Sequence, residues 1–286
     1  MNNIEGKSDK LEEAIIRVVA FFDLFNYPLT LYELKNYLDI DVGLKELEDF
    51  LIGINLIEER DGFYFLSGRE EIIAIRQSRY NYTNRKIKIA KRFTRFFRLL
   101  PFIKMIAISN SIGAHNLREG SDIDFFIITS PKRIWLSRLF CAGLAKMLHS
   151  RPTVNNKKDK ICLSFYVTEN HLNLSDLKLP SQDPYFDYWI KSLILLYNRD
   201  KMYEKFLEAN CNNIDNKNGS SGKSILENLA KKLQLRIMSS ELKKEMNCSD
   251  GVVVDNDILK LYLHDRRREF LEKYNNKIHE IIKTEH

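Results

Sequence analysis

Long apolar runs are missing from this chain: nowhere in its 286 residues does a stretch approach the roughly 20 uninterrupted apolar positions that a membrane helix requires. The first residues also lack the basic, apolar, small-residue order of a secretory signal. No membrane partner is expected, and a cytoplasmic location follows by default. Cysteine is scarce. Cys141, Cys162, Cys211 and Cys248 lie far apart with no Cys-x-x-Cys pair, which argues against a zinc knuckle or a disulfide framework and leaves reduced thiols. The six histidines show no metal-ligand spacing. No internal repeat is visible. The run Gly219-Ser220-Ser221-Gly222-Lys223-Ser224 ends like a phosphate loop but lacks the first glycine and a preceding strand.

What is present is apolar content, 44%, sufficient to fill real cores, and a charge unevenly divided along the chain. Residues 1–70 carry 15 Asp/Glu against 7 Lys/Arg, whereas the rest carries 24 against 38. That asymmetry suggests separate modules, or a partner for one of them.

Apolar positions Ile15, Val18, Val19, Phe22 and Leu24 recur at helical spacing and stop at Asn26-Tyr27-Pro28. Thr30-Leu31-Tyr32-Glu33 has the form of a capping box opening a second helix, and a third runs from about Leu44 to Ile52. Two strand-like runs then flank Asp61-Gly62, a dipeptide suited to a tight hairpin turn. Three helices and a hairpin predict a winged-helix-like domain over 1–70. Its third helix holds Lys45 against Glu46, Glu48 and Asp49, so duplex DNA is an unlikely partner and protein contact or packing is favoured.

Residues 71–100 read as one helix with an apolar face of Ile89, Phe93, Phe96, Phe97 and Leu100. From Arg76 to Arg98 it carries nine Lys/Arg and no acid. Such a stripe suits RNA or substrate phosphates, or else a solvated face or a counter-surface for the acidic front. Strand and helix signals alternate over 101–180, predicting an α/β core with a small mixed sheet. Residues 181–286 read as a C-terminal helical region interrupted by a polar loop at 212–223, and Arg266-Arg267-Arg268 could meet an acceptor or face solvent. The fold class expected is α+β.

The chemistry concentrates in Ser121-Asp122-Ile123-Asp124-Phe125-Phe126-Ile127-Ile128. Alternation along a strand puts Asp122 and Asp124 on one face, a two-carboxylate claw for a hard cation such as Mg²⁺. Eleven positions earlier, Ser109-Asn110-Ser111 closes an apolar strand, and a helix predicted from about Ile112 would offer free N–H groups to phosphates. This arrangement over about 103–168 resembles the nucleotidyltransferase superfamily of the polymerase-β type, whose core reads hydrophobic-Gly-Ser, a spacer, then Asp-x-Asp in a hydrophobic strand. More loosely, the whole is similar to prokaryotic nucleotidyltransferase-like proteins with a winged helix ahead of the core.

The resemblance implies Mg²⁺ or Mn²⁺ on Asp122 and Asp124, and transfer of a nucleoside monophosphate from an NTP to a hydroxyl on a protein, an RNA or a small molecule. It also implies triphosphate contacts from Ser109, Asn110, Ser111, Arg118 and Ser121. Two departures stand out. Asn110 replaces the family's glycine. The strand Ile161–Val167 lacks the third carboxylate, with Cys162 or Ser164 on the active-site face and Glu169 as a substitute only if the strand bends. The alternative expectation is a catalytically inactive binding protein that keeps the fold and recruits a partner through its acidic front.

Overall fold

The computed structural model describes residues 2–153, 155–214 and 224–284. Most of the expected polar loop, and all but the last residue of the phosphate-loop-like run, lie outside them. The fold is mixed α and β, with two sheets among the described residues. No helix among them is long and apolar enough to cross a membrane.

The front of the chain follows its local signals closely. Helix α1 (Asn2–Asp23) ends where Asn26 turns left-handed at φ 48° ahead of Pro28. Strand β1 (Leu29–Thr30) leads into α2 (Leu31–Tyr37), whose capping box is complete: the Thr30 N–H donates to Glu33 Oε2 at 2.9 Å and the Glu33 N–H to Thr30 Oγ1 at 3.3 Å. After α3 (Leu44–Leu51), strands β2 (Ile57–Arg60) and β3 (Phe63–Leu66) meet through Asp61 and Gly62, at φ 54° and 78°, the positive pair a tight hairpin needs. All three strands form an antiparallel sheet ordered β1-β3-β2. The apolar interior of this region is continuous with one face of the larger sheet. Phe21 and Phe22 pack on Tyr188 with ring centroids 4.6 and 5.4 Å apart.

Helix α4 (Glu71–Phe97) divides its cations between two tasks. Arg76, Arg79 and Lys86 are buried. Arg76 forks onto Glu33 at 2.8 and 2.9 Å while stacking over the Tyr27 ring. Arg79 reaches Phe25 O and Asn116 Oδ1, and Lys86 reaches Asp159 and the Ser121 carbonyl. Arg76 thus ties this half of the helix to Glu33 of the acidic front, while Lys86 ties it to Asp159 beyond β5. The expected apolar face is narrower than its spacing suggests: Phe93 and Phe97 are buried, but Phe96 is exposed.

The larger sheet holds six strands in the order β7-β4-β5-β6-β9-β8. Three of them fall where the sequence predicts: β4 (Ile103–Ile108), β5 (Ile123–Thr129) antiparallel to it, and β6 (Ile161–Thr168) parallel to β5 across α5 (Ile134–Met147). The other three correct the expectation of an all-helical C-terminal region. Between α6 (Pro184–Lys191) and α7 (Met202–Cys211), β7 (Ile194–Asn198) pairs with β4. After α8 (Ile225–Ile237) and α9 (Ser240–Glu245), the hairpin of β8 (Val252–Val254) and β9 (Ile258–Leu261) joins the edge of β6 before α10 (Arg267–Thr284). Strand pairing along an existing edge supplies backbone partners on both sides of β9 and on one side of β7 and β8, which outweighs helical tendency in these short apolar segments. One face of the sheet packs against α4, α5 and α8; the other packs against α6, α7, α10 and the front helices.

A further correction concerns residues 109–122. The helix expected from Ile112 is absent, and the segment is an irregular loop. Its left-handed residues are Gly113, φ 83°, and His115, φ 57°, and not Asn110. An added Cβ at Gly113 would lie 2.7 Å from the Tyr27 ring, so only glycine fits.

Candidate functional site

Alternation along β5 sends Ile123, Phe125 and Ile127 into the core shared with α4 and α5, while Phe126 and Ile128 join the opposite core. Asp124 lies on that second face and Asp122 just before the strand; both are half-buried. In the parallel register Asp124 pairs with Cys162 of β6. A carboxylate oxygen from each Asp and the Cys162 sulfur all lie within 4.8 Å of one another. This is the claw the sequence predicts, with a thiol as its third member.

The serines and Asn110 build the claw more than they face outward. The Ser109 N–H donates to Asp124 O at 2.9 Å, and Asn110 Nδ2 donates to Asp122 O at 2.9 Å, so the end of β4 holds both claw residues by their backbones. Ser111 is buried, donating to Gly113 O and accepting from the Asn116 N–H. Ser121 Oγ donates to carbonyls of its own turn at 3.0 Å. Arg118 is exposed, and its carbonyl accepts from Ser121. Without a helix N-terminus here, the phosphate cradle expected of this loop loses its dipole and its row of free N–H groups. Glu169 stands at the opposite end of β6 from Cys162, roughly 23 Å along the strand, and joins no cluster with the claw.

Electrostatics set the claw apart. Burial, and then the adjacent Asp122, push the Asp124 carboxyl up to about 7. Asp122 is also raised by burial, even though Lys157, Lys86 and Arg151 act to lower it. The Cys162 thiol is driven well above its ordinary range by burial and by Asp124, and it shares a 3.0 Å hydrogen bond with Ser164. Among the described residues no basic side chain is bonded to either claw carboxylate. Two carboxylates suit Mg²⁺ or Mn²⁺, which favour oxygen donors; a thiol held protonated adds nothing for such an ion.

A cavity of about 220 Å³ opens from Asp124, Ser109 and Asn110. Its walls include the stacked pairs Phe165–Trp189, with centroids 5.7 Å apart, and Tyr185–Phe270, 5.5 Å apart. The Trp189 indole N–H donates to Ser109 O at 2.7 Å, tying α6 to the claw loop. Asn110 Oδ1 is buried without a hydrogen-bond partner. The far wall carries Lys260, Asp265 and Arg267, which the sequence reading did not place here. Of the triple-arginine run, Arg266 and Arg268 are exposed in surface pairs with Glu269 and Asp250, whereas Arg267 is buried and bonds Asp265, Asp183 and Leu177 O. A signal was available: Val252-Val253-Val254 and Ile258-Leu259-Lys260-Leu261 around Asp255-Asn256-Asp257 have hairpin form.

No family model matches the chain, no curated protein is similar to it, and no solved structure matches it.

Proposed function

We propose that the chain is a divalent-metal-dependent nucleotidyltransferase, moving a nucleoside monophosphate from an NTP to a hydroxyl acceptor. One observation carries the reading: two half-buried carboxylates converge with no basic side chain bonded to either, and one of them, Asp124, lines a cavity. Uncompensated acids in that setting are costly unless a cation joins them. Asp122 and Asp124 would hold Mg²⁺ or Mn²⁺ against the phosphates, and the ion would supply charge neutralisation there. The acceptor oxygen attacks the α-phosphorus, the bond to the β-phosphate oxygen breaks, and pyrophosphate leaves. The proton the acceptor gives up passes to solvent, because a carboxylate that holds the ion is not available to take it. Asn110 and Ser109 border the space for the nucleotide, and the exposed Arg118 and Lys157 are free to approach its phosphates. The acidic front, with its three helices and three-stranded sheet, is a winged-helix-like module that meets protein in preference to DNA.

The test is transfer of label from each α-labelled NTP in the presence of Mg²⁺, with the Asp122→Ala/Asp124→Ala double variant as control. Transfer by the native chain that falls by about two orders of magnitude or more in the variant, roughly the cost of removing one group that stabilises transition-state charge, supports the assignment. Undiminished transfer in the variant sinks it.

A second reading is a binding protein that no longer turns over. It is favoured by Cys162 standing where a third carboxylate is expected and by the internal commitment of the Ser111 and Ser121 hydroxyls. Nucleotide binding without transfer, with transfer gained in Cys162→Asp, would select it; clear turnover by the native chain would exclude it.

A further inference from the structure

Helices α4, α5 and α8 cover one face of the six-stranded sheet, and their outward sides form one side of the molecule. That side is unusually apolar. On α8, Leu226, Leu229, Leu233 and Ile237 form a stripe at three- and four-residue spacing and are 65%, 58%, 49% and 72% exposed. The buried face of the same helix is a different set, Glu227, Ala230 and Gln234, which bond or pack onto α5. Helix α5 is apolar nearly all round, the pattern of a helix covered on every side, yet Phe140 and Met147 are exposed. The undescribed segment just before α8, 215–223, contains no large apolar side chain that could cover this surface.

The exposed charges of α5, of α8 and of α4 from Arg76 onward are all cationic, while the neighbouring α9 carries both signs, Lys243 and Lys244 with Glu241. On α4, Lys88, Lys91, Arg92, Arg95 and Arg98 are exposed, and among the described residues none of them is ion-paired. Helix α5 holds no acid, and the single acid of α8, Glu227, is buried capping the start of α5 through the Trp135 and Leu136 N–H groups. Lys232 and Arg236 flank the α8 stripe.

Aliphatic side chains framed by unpaired cations match one chemistry in particular. A second copy docking through this side would bring Lys232 and its neighbours against like charge. RNA would satisfy the cations but leave leucines and isoleucines unused, since bases stack on aromatic rings. An anionic bilayer surface satisfies both, as its acyl boundary takes the stripe and its headgroups take the cations. Resting on a bilayer is distinct from crossing one, and only crossing requires a long apolar helix, of which there is none among the described residues. We propose that the α4–α5–α8 side docks on an anionic membrane surface, with the α8 stripe inserted at the acyl boundary and the α4 cations over the headgroups. The proposal stands whether or not the claw is catalytic.

The test is co-sedimentation of the full chain with vesicles of pure phosphatidylcholine and with vesicles of equal parts phosphatidylcholine and phosphatidylglycerol. The chain should pellet with the anionic vesicles and remain largely in solution with the neutral ones. Leu229→Asp/Leu233→Asp should abolish pelleting, and Arg92→Glu/Arg95→Glu should weaken it by about five-fold for each cation removed, or more. All four side chains are exposed, so far-ultraviolet circular dichroism and melting should not change, which separates lost docking from lost folding. Equal partition on both vesicles, no pelleting, or retention of binding by the leucine variant would overturn the proposal. So would light scattering that shows a dimer broken by those same substitutions, or capture of RNA in place of vesicles.

Discussion

Two acidic pairs lie close to one cavity and are treated in opposite ways. Asp183 and Asp265 are held by Arg267 at 2.7 and 2.9 Å, and Lys260 adds a further bond to Asp265 at 2.7 Å. Against the opposing effect of burial, these bonds keep the Asp265 carboxyl well below its ordinary range. Asp122 and Asp124 receive no such partner, and both are raised. The fold can compensate buried acids where they hold α10 in place, so the uncompensated claw marks a site kept for something else.

The comparison can be broken first at the compensated pair. Arg267→Ala should cost about 3–5 kcal/mol, because it strands two buried carboxylates, and urea denaturation would measure it. A cost under about 1 kcal/mol would mean the network does not secure α10.

The claw should respond with the opposite sign. Raising the folded pKa of Asp124 above its unfolded value makes its contribution fully present below the unfolded pKa and lost as pH rises toward about 7. In metal-free protein, Asp124→Asn should therefore stabilise the fold at about pH 8, by ~2 kcal/mol once screening and the linked titration of Asp122 are allowed for, with the gain gone below about pH 4. Melting curves across that range decide it, and destabilisation at pH 8 would show that the carboxylate is already compensated. Asp265 carries the reverse dependence, present above its unfolded pKa and lost in acid.

The smallest effect belongs to the outer half of α4. Arg92→Ala should change stability by no more than about 0.5 kcal/mol, whereas Arg76→Ala, which breaks a buried fork onto Glu33, belongs with Arg267→Ala. Equal costs for the two arginines would erase the division of that helix.

What could be read from the sequence, and what could not, follows from range. The Thr30–Glu33 box, the Asp61-Gly62 turn and the alternation about Asp122 and Asp124 depend on neighbours within a few residues, and all stand as expected. Strand β7 does not, because Ile194–Asn198 becomes extended only by pairing with β4, nearly ninety residues earlier. The helix that the sequence predicts from about Ile112 in the loop after β4 does not form. The course of the loop is fixed instead by Arg79, Thr83 and Lys86 of α4 and by Tyr27, which donates to Ala114 O. The two carboxylates of the site were therefore legible, while the cavity beside them, made largely of residues after 160, was not.

The reach of α10 back to the beginning of the chain also governs when the protein can first work. Phe270 packs on Phe25, Tyr274 on Phe21, and Lys277 pairs with Asp23, while Arg267 and Phe270 wall the cavity. During synthesis at about 5–20 residues per second, the acidic front would emerge roughly 10 to 40 s before these residues are made. Until then its aromatic surface is covered only in part, by Tyr185 and Tyr188 of α6, and the cavity lacks the Arg267 and Phe270 wall. A nascent chain can carry its claw carboxylates in place and still be unable to enclose a ligand, so function begins only as translation of α10 finishes.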